Sequence, residues 1–359
     1  MKLNRVTGKS KKSGLNFSLI IRLGVTVSIL AYLGAKLHWV ELGTQLMNSD
    51  PFWLLVACLL LGIGFFLASV RWWLLLKVQE ISVPLRLAVS LTLIGQFFNS
   101  FFLGTTGGDV VKLIYIMKYA PHQKARATLS IIMDRAIGIF VLLVCALVAL
   151  PWQLPILMRR EETAAIAYAL LILFAVVLGI ALGLALMPFH RLPFFLQRFW
   201  ERIPGRDILE SLIAGFRKHG RSKRLTLRAM ACSLAIWFIV FTAGFFIAQA
   251  IHLEVSYFQI LVILSIVIFV ISLPISLGGH GVREGIFVLM FTVFGIISID
   301  LQSGAGQEPA ILFSILYFAL FSVWSLIGGL IYLGFSVPVN HRSLSSQVEA
   351  LADETEKIV

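Results

Sequence analysis

The sequence predicts an all-α fold, a polytopic membrane helical bundle of about 8–9 spans in which two helices are glycine-broken or re-entrant. Hydrophobic residues make up 59% of the 359-residue chain, and charged residues make up only 13%. The mean hydropathy is +0.93. A soluble domain is nearer half apolar and a quarter charged. These values therefore indicate a membrane protein.

Nine apolar runs are candidate spans, because about 20 apolar residues are needed to cross the hydrocarbon. They are residues 17–38, 52–70, 87–104, 128–150, 164–187, 229–251, 258–276, 283–299 and 310–336. Residues 105–120 are shorter and more polar. Together with the run before them, they predict a helix, a glycine break and a second helix or re-entrant half-helix.

The distribution of lysine and arginine predicts the orientation. Segment 188–228 holds ten basic residues against three acidic ones, so we expect it to be a basic cytoplasmic loop. The predicted organisation is a basic cytoplasmic tail at 1–15, a transmembrane domain at 16–338 and a polar cytoplasmic tail at 339–359. Both termini then lie on the cytoplasmic side of a cell inner (plasma) membrane. The net charge of +12 follows from these loops, so we expect no nucleic-acid partner.

The first glycine-rich interruption, Phe102–Lys112, lies inside apolar sequence and carries two charges. Ionisable residues at membrane depth are rare and mark functional sites by default. Its candidate binding residues are Asn99, Gly107, Gly108, Asp109 and Lys112. Successive glycine N–H groups at a helix start suit a lipid phosphate, whereas Asp109 could also serve as a helix cap.

Asp134 and Arg135 lie about two turns inside the fourth predicted span. Neighbouring helical positions point about 100° apart, so each is expected to find a partner on another helix. The pairings Asp109–Arg135 and Asp134–Arg283 are both plausible. A buried structural ion pair is the alternative to a binding role.

The second interruption, Leu273–Glu284, contains Pro274 and three glycines. Its candidate residues, Gly278, Gly279, His280, Arg283 and Glu284, stand around the start of the next predicted helix. Arg283 suits a phosphate, because its guanidinium can bind two oxygens at once. Glu284 also has a purely structural interpretation, since a first-turn carboxylate favours the helix dipole. Arg71-Trp72-Trp73 is interpreted as an interfacial aromatic belt with a snorkelling arginine.

The two interruptions are alike, with Gly107-Gly108-Asp109 in one half and Gly278-Gly279-His280 in the other. Paired broken helices in corresponding positions point to a transporter's central site. The pattern leaves open an internal repeat. No zinc, redox, serine-hydrolase or nucleotide-binding motif is present in the sequence. We therefore expect no cofactor, no metal and no enzymatic activity.

The chain resembles the lysylphosphatidylglycerol synthase transmembrane-domain family, also described as flippase-like integral membrane proteins. The resemblance covers about residues 16–336. The stretches that carry it are Arg71-Trp72-Trp73, Phe98-Asn99, Gly107-Gly108-Asp109-Val-Val-Lys112, Asp134-Arg135-x-x-Gly138 and Pro274-x-Ser-x-Gly-Gly-His-Gly-Val-Arg-Glu284. It implies movement of aminoacylated phosphatidylglycerol between leaflets. Full-length synthases add a soluble aminoacyl-transferase domain, for which a chain ending at Val359 leaves no room, so lysyl transfer is not expected.

The hypothesis from these observations is an integral membrane lipid translocase. It would bind an anionic or phosphate-bearing headgroup in a central polar cavity. Its expected partners are membrane lipids and a partner synthase. Two alternatives stay open. One is a membrane enzyme acting on polyprenyl-linked sugars or phospholipids, with Asp109 or Asp134 as base. The other is an accessory subunit that scaffolds a synthase.

Overall fold

A computed structural model describes residues 39–101, 107–158, 223–272, 281–298 and 306–335, with isolated positions between 164 and 179. These ranges contain nine α-helices and no strand. In chain order the helices are α1 Trp39–Met47, α2 Pro51–Val78, α3 Leu85–Phe101, α4 Gly107–Tyr119, α5 Lys124–Leu157, α6 Lys223–Ala250, α7 Tyr257–Ser272, α8 Val282–Val293 and α9 Glu308–Leu333. A single 3₁₀ turn, Pro121–Gln123, leads into α5. The prediction of a helical membrane bundle is confirmed.

Four of the nine described helices, α2, α5, α6 and α9, are long and apolar enough to cross a membrane. They correspond to the predicted spans 52–70, 128–150, 229–251 and 310–336. Helix α2 differs from its prediction, because it continues to Val78 and so includes Arg71 within the helix. The predicted span 17–38 lies outside the described residues, as do most of 164–187, the tails and nearly all of the basic loop.

The residues at the start of α2 explain why the helix begins at this point. The Asp50 side chain accepts a hydrogen bond of 2.8 Å from the N–H of Phe52. Pro51 follows at the first helical position, where its missing N–H costs nothing. The cap and the proline together fix the start of α2 at this position, and the residues that follow are largely apolar.

One face of α2 leaves large apolar side chains exposed at helical spacing. These residues, each at least half exposed, are Phe52, Leu55, Leu59, Ile63 and Phe66. A soluble monomer rarely exposes so continuous an apolar patch. A stripe of this kind is the face that a spanning helix presents to lipid.

Helices α3 and α4 form an antiparallel hairpin on either side of the first glycine break. Gly95 of α3 lies beside Lys112 of α4, and four residues later Asn99 lies beside Gly108. At 1.5 Å per residue, α3 is about 25 Å long and α4 about 20 Å, both short of the ~30 Å hydrocarbon core. The expected helix and second half-helix are therefore present, as an antiparallel hairpin in which neither arm is long enough to span the hydrocarbon.

The second break differs from the expectation of an independent span at 283–299. Helix α8 has 12 residues and ends at Val293, so it is only about 18 Å long. Gly295 follows with a φ of 68°, a conformation that L-residues rarely adopt and that ends the helix. Helices α7 and α8 pack against each other and together make a second broken element.

Candidate functional site

A cavity of about 370 Å³ lies among eight helices, α2 to α9. Much of its wall is apolar. Its charged lining residues are Arg71, Asp109, Lys112, Asp134, Arg135 and Arg283. So many ionisable groups inside a membrane bundle need partners, because an isolated charge in hydrocarbon is costly. The contacts among them define the site.

Asp134 of α5 occupies the centre of the largest charge cluster. Its Oδ1 accepts a hydrogen bond of 2.7 Å from Nε of Arg71 on α2. Its Oδ2 is 4.0 Å from Nζ of Lys112 on α4. One carboxylate therefore faces two cations from two other helices.

Arg71 belongs to this cluster, and its interpretation as a snorkelling belt residue was wrong. The residue is only 9% exposed, and its Nη1 also donates to Oγ of Ser233 on α6, at 3.1 Å. Gly138 of α5 leaves room for the guanidinium, since a Cβ there would come within 3.1 Å of Nη1. A sequence signal existed: five apolar residues follow Arg71 before Lys77, so the arginine does not stand at the end of the span.

Arg135 and Asp109 form the second ion pair, in which Nε of Arg135 donates to Oδ2 of Asp109. This pairing between α5 and α4 was expected from the sequence and is confirmed. Asp134 and Arg135 thus each pair with another helix, as adjacent helical positions require. The Asp109 carboxylate is used as an ion-pair partner within the first turn of α4.

Arg283 and Glu284, at the start of α8, form the third ion pair. Nε of Arg283 also donates to Oγ of Ser314 on α9, at 2.8 Å. Glu284 accepts a bond of 2.6 Å from the N–H of Gly281, so its expected helix-start role is confirmed. The expected pairing of Asp134 with Arg283 was wrong, because Arg283 is neutralised by its own neighbour.

Among the cations that line the cavity, Lys112 has its charge least balanced by a nearby carboxylate. It is 6% exposed, and its Nζ lies 4.2 Å from the centre of the Trp72 ring, a favourable position for a cation. Its charge is also balanced by Asp134, but Asp134 already binds Arg71 more closely. Lys112 is thus the group best placed to receive a further anion.

The described part of the site carries one more positive charge than negative. Its four cations are Arg71, Lys112, Arg135 and Arg283, and its three carboxylates are Asp109, Asp134 and Glu284. A buried cluster with one surplus cation is electrically suited to a ligand with one negative charge.

Gly108, at the first glycine break, allows two helices to pack closely rather than offering a free N–H group to a ligand. The N–H of Gly108 donates to Oδ1 of Asn99 at 2.7 Å, so it is already occupied. A Cβ on Gly108 would lie 1.7 Å from the carbonyl oxygen of Gly95. This glycine allows the two arms of the α3–α4 hairpin to touch.

Six of the predicted binding residues line the cavity: Asn99, Asp109, Lys112, Asp134, Arg135 and Arg283. Gly107, Gly108 and Glu284 are buried beside it. Gly278, Gly279 and His280 lie outside the described residues. Sequence reasoning left out Arg71 and gave no binding role to Gln96 and Ser100, which also line the cavity.

The fold and the site define a polytopic helical membrane protein with a charged cavity among its helices. The chain belongs to the family described as Lysylphosphatidylglycerol synthase TM region, whose profile matches residues 19–329.

Two archaeal relatives match over most of their length. A UPF0104 membrane protein from Pyrococcus horikoshii is 25% identical over 339 residues, which cover 88% of this chain and 96% of the relative. A UPF0104 membrane protein from Methanothermobacter thermautotrophicus is 22% identical over 274 residues, covering 71% and 80%. Both names describe membrane proteins and mention no ligand.

Proposed function

We propose that the protein binds the anionic, phosphate-bearing headgroup of a membrane lipid in its cavity and moves that lipid between leaflets. The observation that carries the proposal is the surplus positive charge of the described cluster, with Lys112 as its least compensated member. A phosphodiester headgroup carries one negative charge and would balance this surplus. The family description, which refers to the membrane region of a lipid synthase, is consistent with a lipid ligand.

The size and lining of the cavity support a headgroup as the bound part. A volume of about 370 Å³ lies near the lower end of the ~300–1,000 Å³ common for small-molecule sites. The acyl chains of a lipid would extend beyond such a space toward the bilayer. Charged residues would hold the phosphate while apolar wall residues meet the hydrocarbon.

We favour translocation over an enzymatic role for the two cavity carboxylates. Asp109 and Asp134 each accept a hydrogen bond from an arginine on another helix, so both carboxylates are engaged in ion pairs. They then serve to hold cations in place. We further propose that the basic loop 188–228 faces the cytoplasm, where it would attract anionic lipid, and that the membrane is the cell inner membrane.

Replacement of Lys112 by methionine tests the proposal. Methionine keeps an unbranched side chain beside Gly95, so the fold should be as stable as in the wild type or more stable, because a buried charge is removed. The cavity then loses its surplus positive charge. We expect phosphatidylglycerol translocation to fall at least about tenfold, which corresponds to about 1.4 kcal/mol.

The measurement uses purified protein in vesicles containing a fluorescent phosphatidylglycerol, with a membrane-impermeant quencher reporting arrival in the outer leaflet. Lys77→Met is the matched control. Lys77 also lies over a tryptophan, 3.4 Å from the Trp73 ring, but it is exposed. Equal translocation by Lys112→Met and the wild type, at equal insertion, would contradict the proposed headgroup site.

A further inference from the structure

Helices α2–α5 and α6–α9 have the same order and equivalent contacts. Helix α3 packs on α9 as α7 packs on α5, and α4 packs on α5 as α8 packs on α9. Helices α2 and α6 are both 28 residues long. They begin at residues 51 and 223, and α3 and α7 begin at 85 and 257, so both pairs of starts differ by 172. The two halves are therefore structural repeats.

The cavity lining repeats with the same spacing. Lining residues of α2 and α6 occur at numbers that differ by 172: Gly64 and Ile236, Phe65 and Trp237, Ala68 and Val240.

The same difference of 172 relates the lining residues of α3 to those of α7. The pairs are Gln96 with Ile268, Asn99 with Ile271 and Ser100 with Ser272. Three matches in each of two helix pairs place the cavity on the axis that relates the repeats.

In the last two helix pairs the lining residues also correspond, but their residue numbers differ by values other than 172. Lys112 of α4 matches Arg283 of α8, each at the sixth position of a segment that begins Gly-Gly. In α5 and α9 the lining pairs, at a difference of 183, are Asp134 with Tyr317, Arg135 with Phe318 and Gly138 with Phe321. Each described lining residue of the second half thus has a lining counterpart in the first.

The repeats are inverted relative to each other. The N–H of Asp50, before α2, donates to the carbonyl of Ala250, at the end of α6, at 2.8 Å. At the other end, Arg71 of α2 contacts Ser233 of α6. Equivalent helices thus run antiparallel, and because both cross the membrane, the axis between them lies in the membrane plane.

The cavity-lining residues of the two repeats differ in chemistry although their positions correspond. Four of the six paired polar or charged residues of the first repeat have apolar or aromatic counterparts in the second, as in Gln96 with Ile268 and Arg135 with Phe318. Lys112 and Arg283 are both cationic. However, Arg283 is followed by its partner Glu284, whereas Lys112 is followed by Leu113.

We propose that the inverted repeats divide the lipid between them, the first repeat (α2–α5) holding the charged headgroup and the second (α6–α9) contacting the hydrocarbon. The proposal rests on the proposed function. A ligand with a polar and an apolar end fits such a cavity in one orientation, since the reverse would place a charge against Ile268 and Ile271. The ligand class is therefore an amphiphile recognised at both ends.

Photochemical labelling of the full chain in nanodiscs tests whether the two repeats contact different parts of the lipid. Two phosphatidylglycerol probes are compared, with a diazirine either on the headgroup glycerol or on an acyl chain close to the ester. The headgroup probe should label α3, α4 or α5, and the chain probe should label α7 or α9. Ile268→Gln should lower chain-probe labelling at least about threefold, and the equivalent Gln96→Ile should lower headgroup-probe labelling instead. Labelling of the first repeat by both probes would overturn the division while leaving the proposed function intact.

A second measurement tests the inversion without any lipid assay. Ser82 and Glu254 precede equivalent helices, differ by 172 in number and are both exposed. After Cys58, Cys145 and Cys232 are replaced by serine, Ser82→Cys and Glu254→Cys should react with an impermeant maleimide from opposite sides of the membrane. Reaction from the same side would overturn the inverted repeat and the inference. Reaction from opposite sides with no cavity labelling by either probe would instead refute the proposed function, and with it the division of the lipid.

Discussion

Replacement of Asp134 by alanine is expected to abolish lipid translocation and to lower the free energy of unfolding by about 3–5 kcal/mol, the cost of breaking a buried ion pair from one side. The carboxylate accepts from Arg71 at 2.7 Å and faces Lys112 at 4.0 Å. Its loss leaves two adjacent buried cations without their shared counter-charge. Both cations should then move or draw water into the cavity, and the headgroup site should be lost with them.

The measurement combines vesicle translocation with unfolding by SDS in mixed micelles. Arg126→Ala is the matched control, because Arg126 pairs with Glu80 at 2.9 Å but both side chains are about half exposed. A surface pair of this kind contributes about 0–1 kcal/mol. Asp134→Ala with wild-type stability and translocation would show that the buried charge cluster has no role.

Replacement of Gly108 by alanine is expected to separate the arms of the α3–α4 hairpin. The added Cβ would lie 1.7 Å from the Gly95 carbonyl oxygen and 2.8 Å from Cγ of Asn99. The backbone must shift to relieve this overlap, so we expect a loss of about 3 kcal/mol, at the upper end for overpacking. Lys112 and Asp109 lie on the displaced arm, so translocation should fall as well.

Gly285→Ala is the control for the glycine prediction. Gly285 is also in the first turns of a helix near the cavity, but a Cβ there meets nothing within 4 Å. Alanine should leave stability unchanged or raise it by up to about 1 kcal/mol, because glycine is the poorer helix former. Similar unfolding curves for the Gly108 and Gly285 variants would mean that the hairpin tolerates separation.

The charged residues show how much of the site can be predicted from the sequence. Asp109 and Arg135 were matched correctly, because adjacent helical positions such as Asp134 and Arg135 point apart, so each needed a partner on another helix. Asp134 was matched with the wrong arginine. Arg71 had been assigned to the interface and was not considered as its partner, and the pairing depends on which helix face turns toward α5.

Arg71 shows the limit of reasoning from local context. An arginine beside two tryptophans near a span end has an ordinary interfacial explanation. Only the packing of α2 against α5 and α6 places its guanidinium beside Asp134 and Ser233. Gly138, which makes room for it, lies 67 positions away in the chain, a contact that no local pattern reveals.

The sequence by itself determined the class of protein, the spanning helices α2, α5, α6 and α9, and the positions of the two breaks. Hydropathy and the helix-breaking tendencies of glycine and proline belong to single residues and short segments, so they can be read along a chain. The tertiary structure decided which charges pair, which carbonyl each glycine meets, and that both halves supply equivalent positions to one cavity. Ion pairing and close packing depend on distances between helices and on the rotation of each helix about its own axis, and these are set only when the whole bundle assembles.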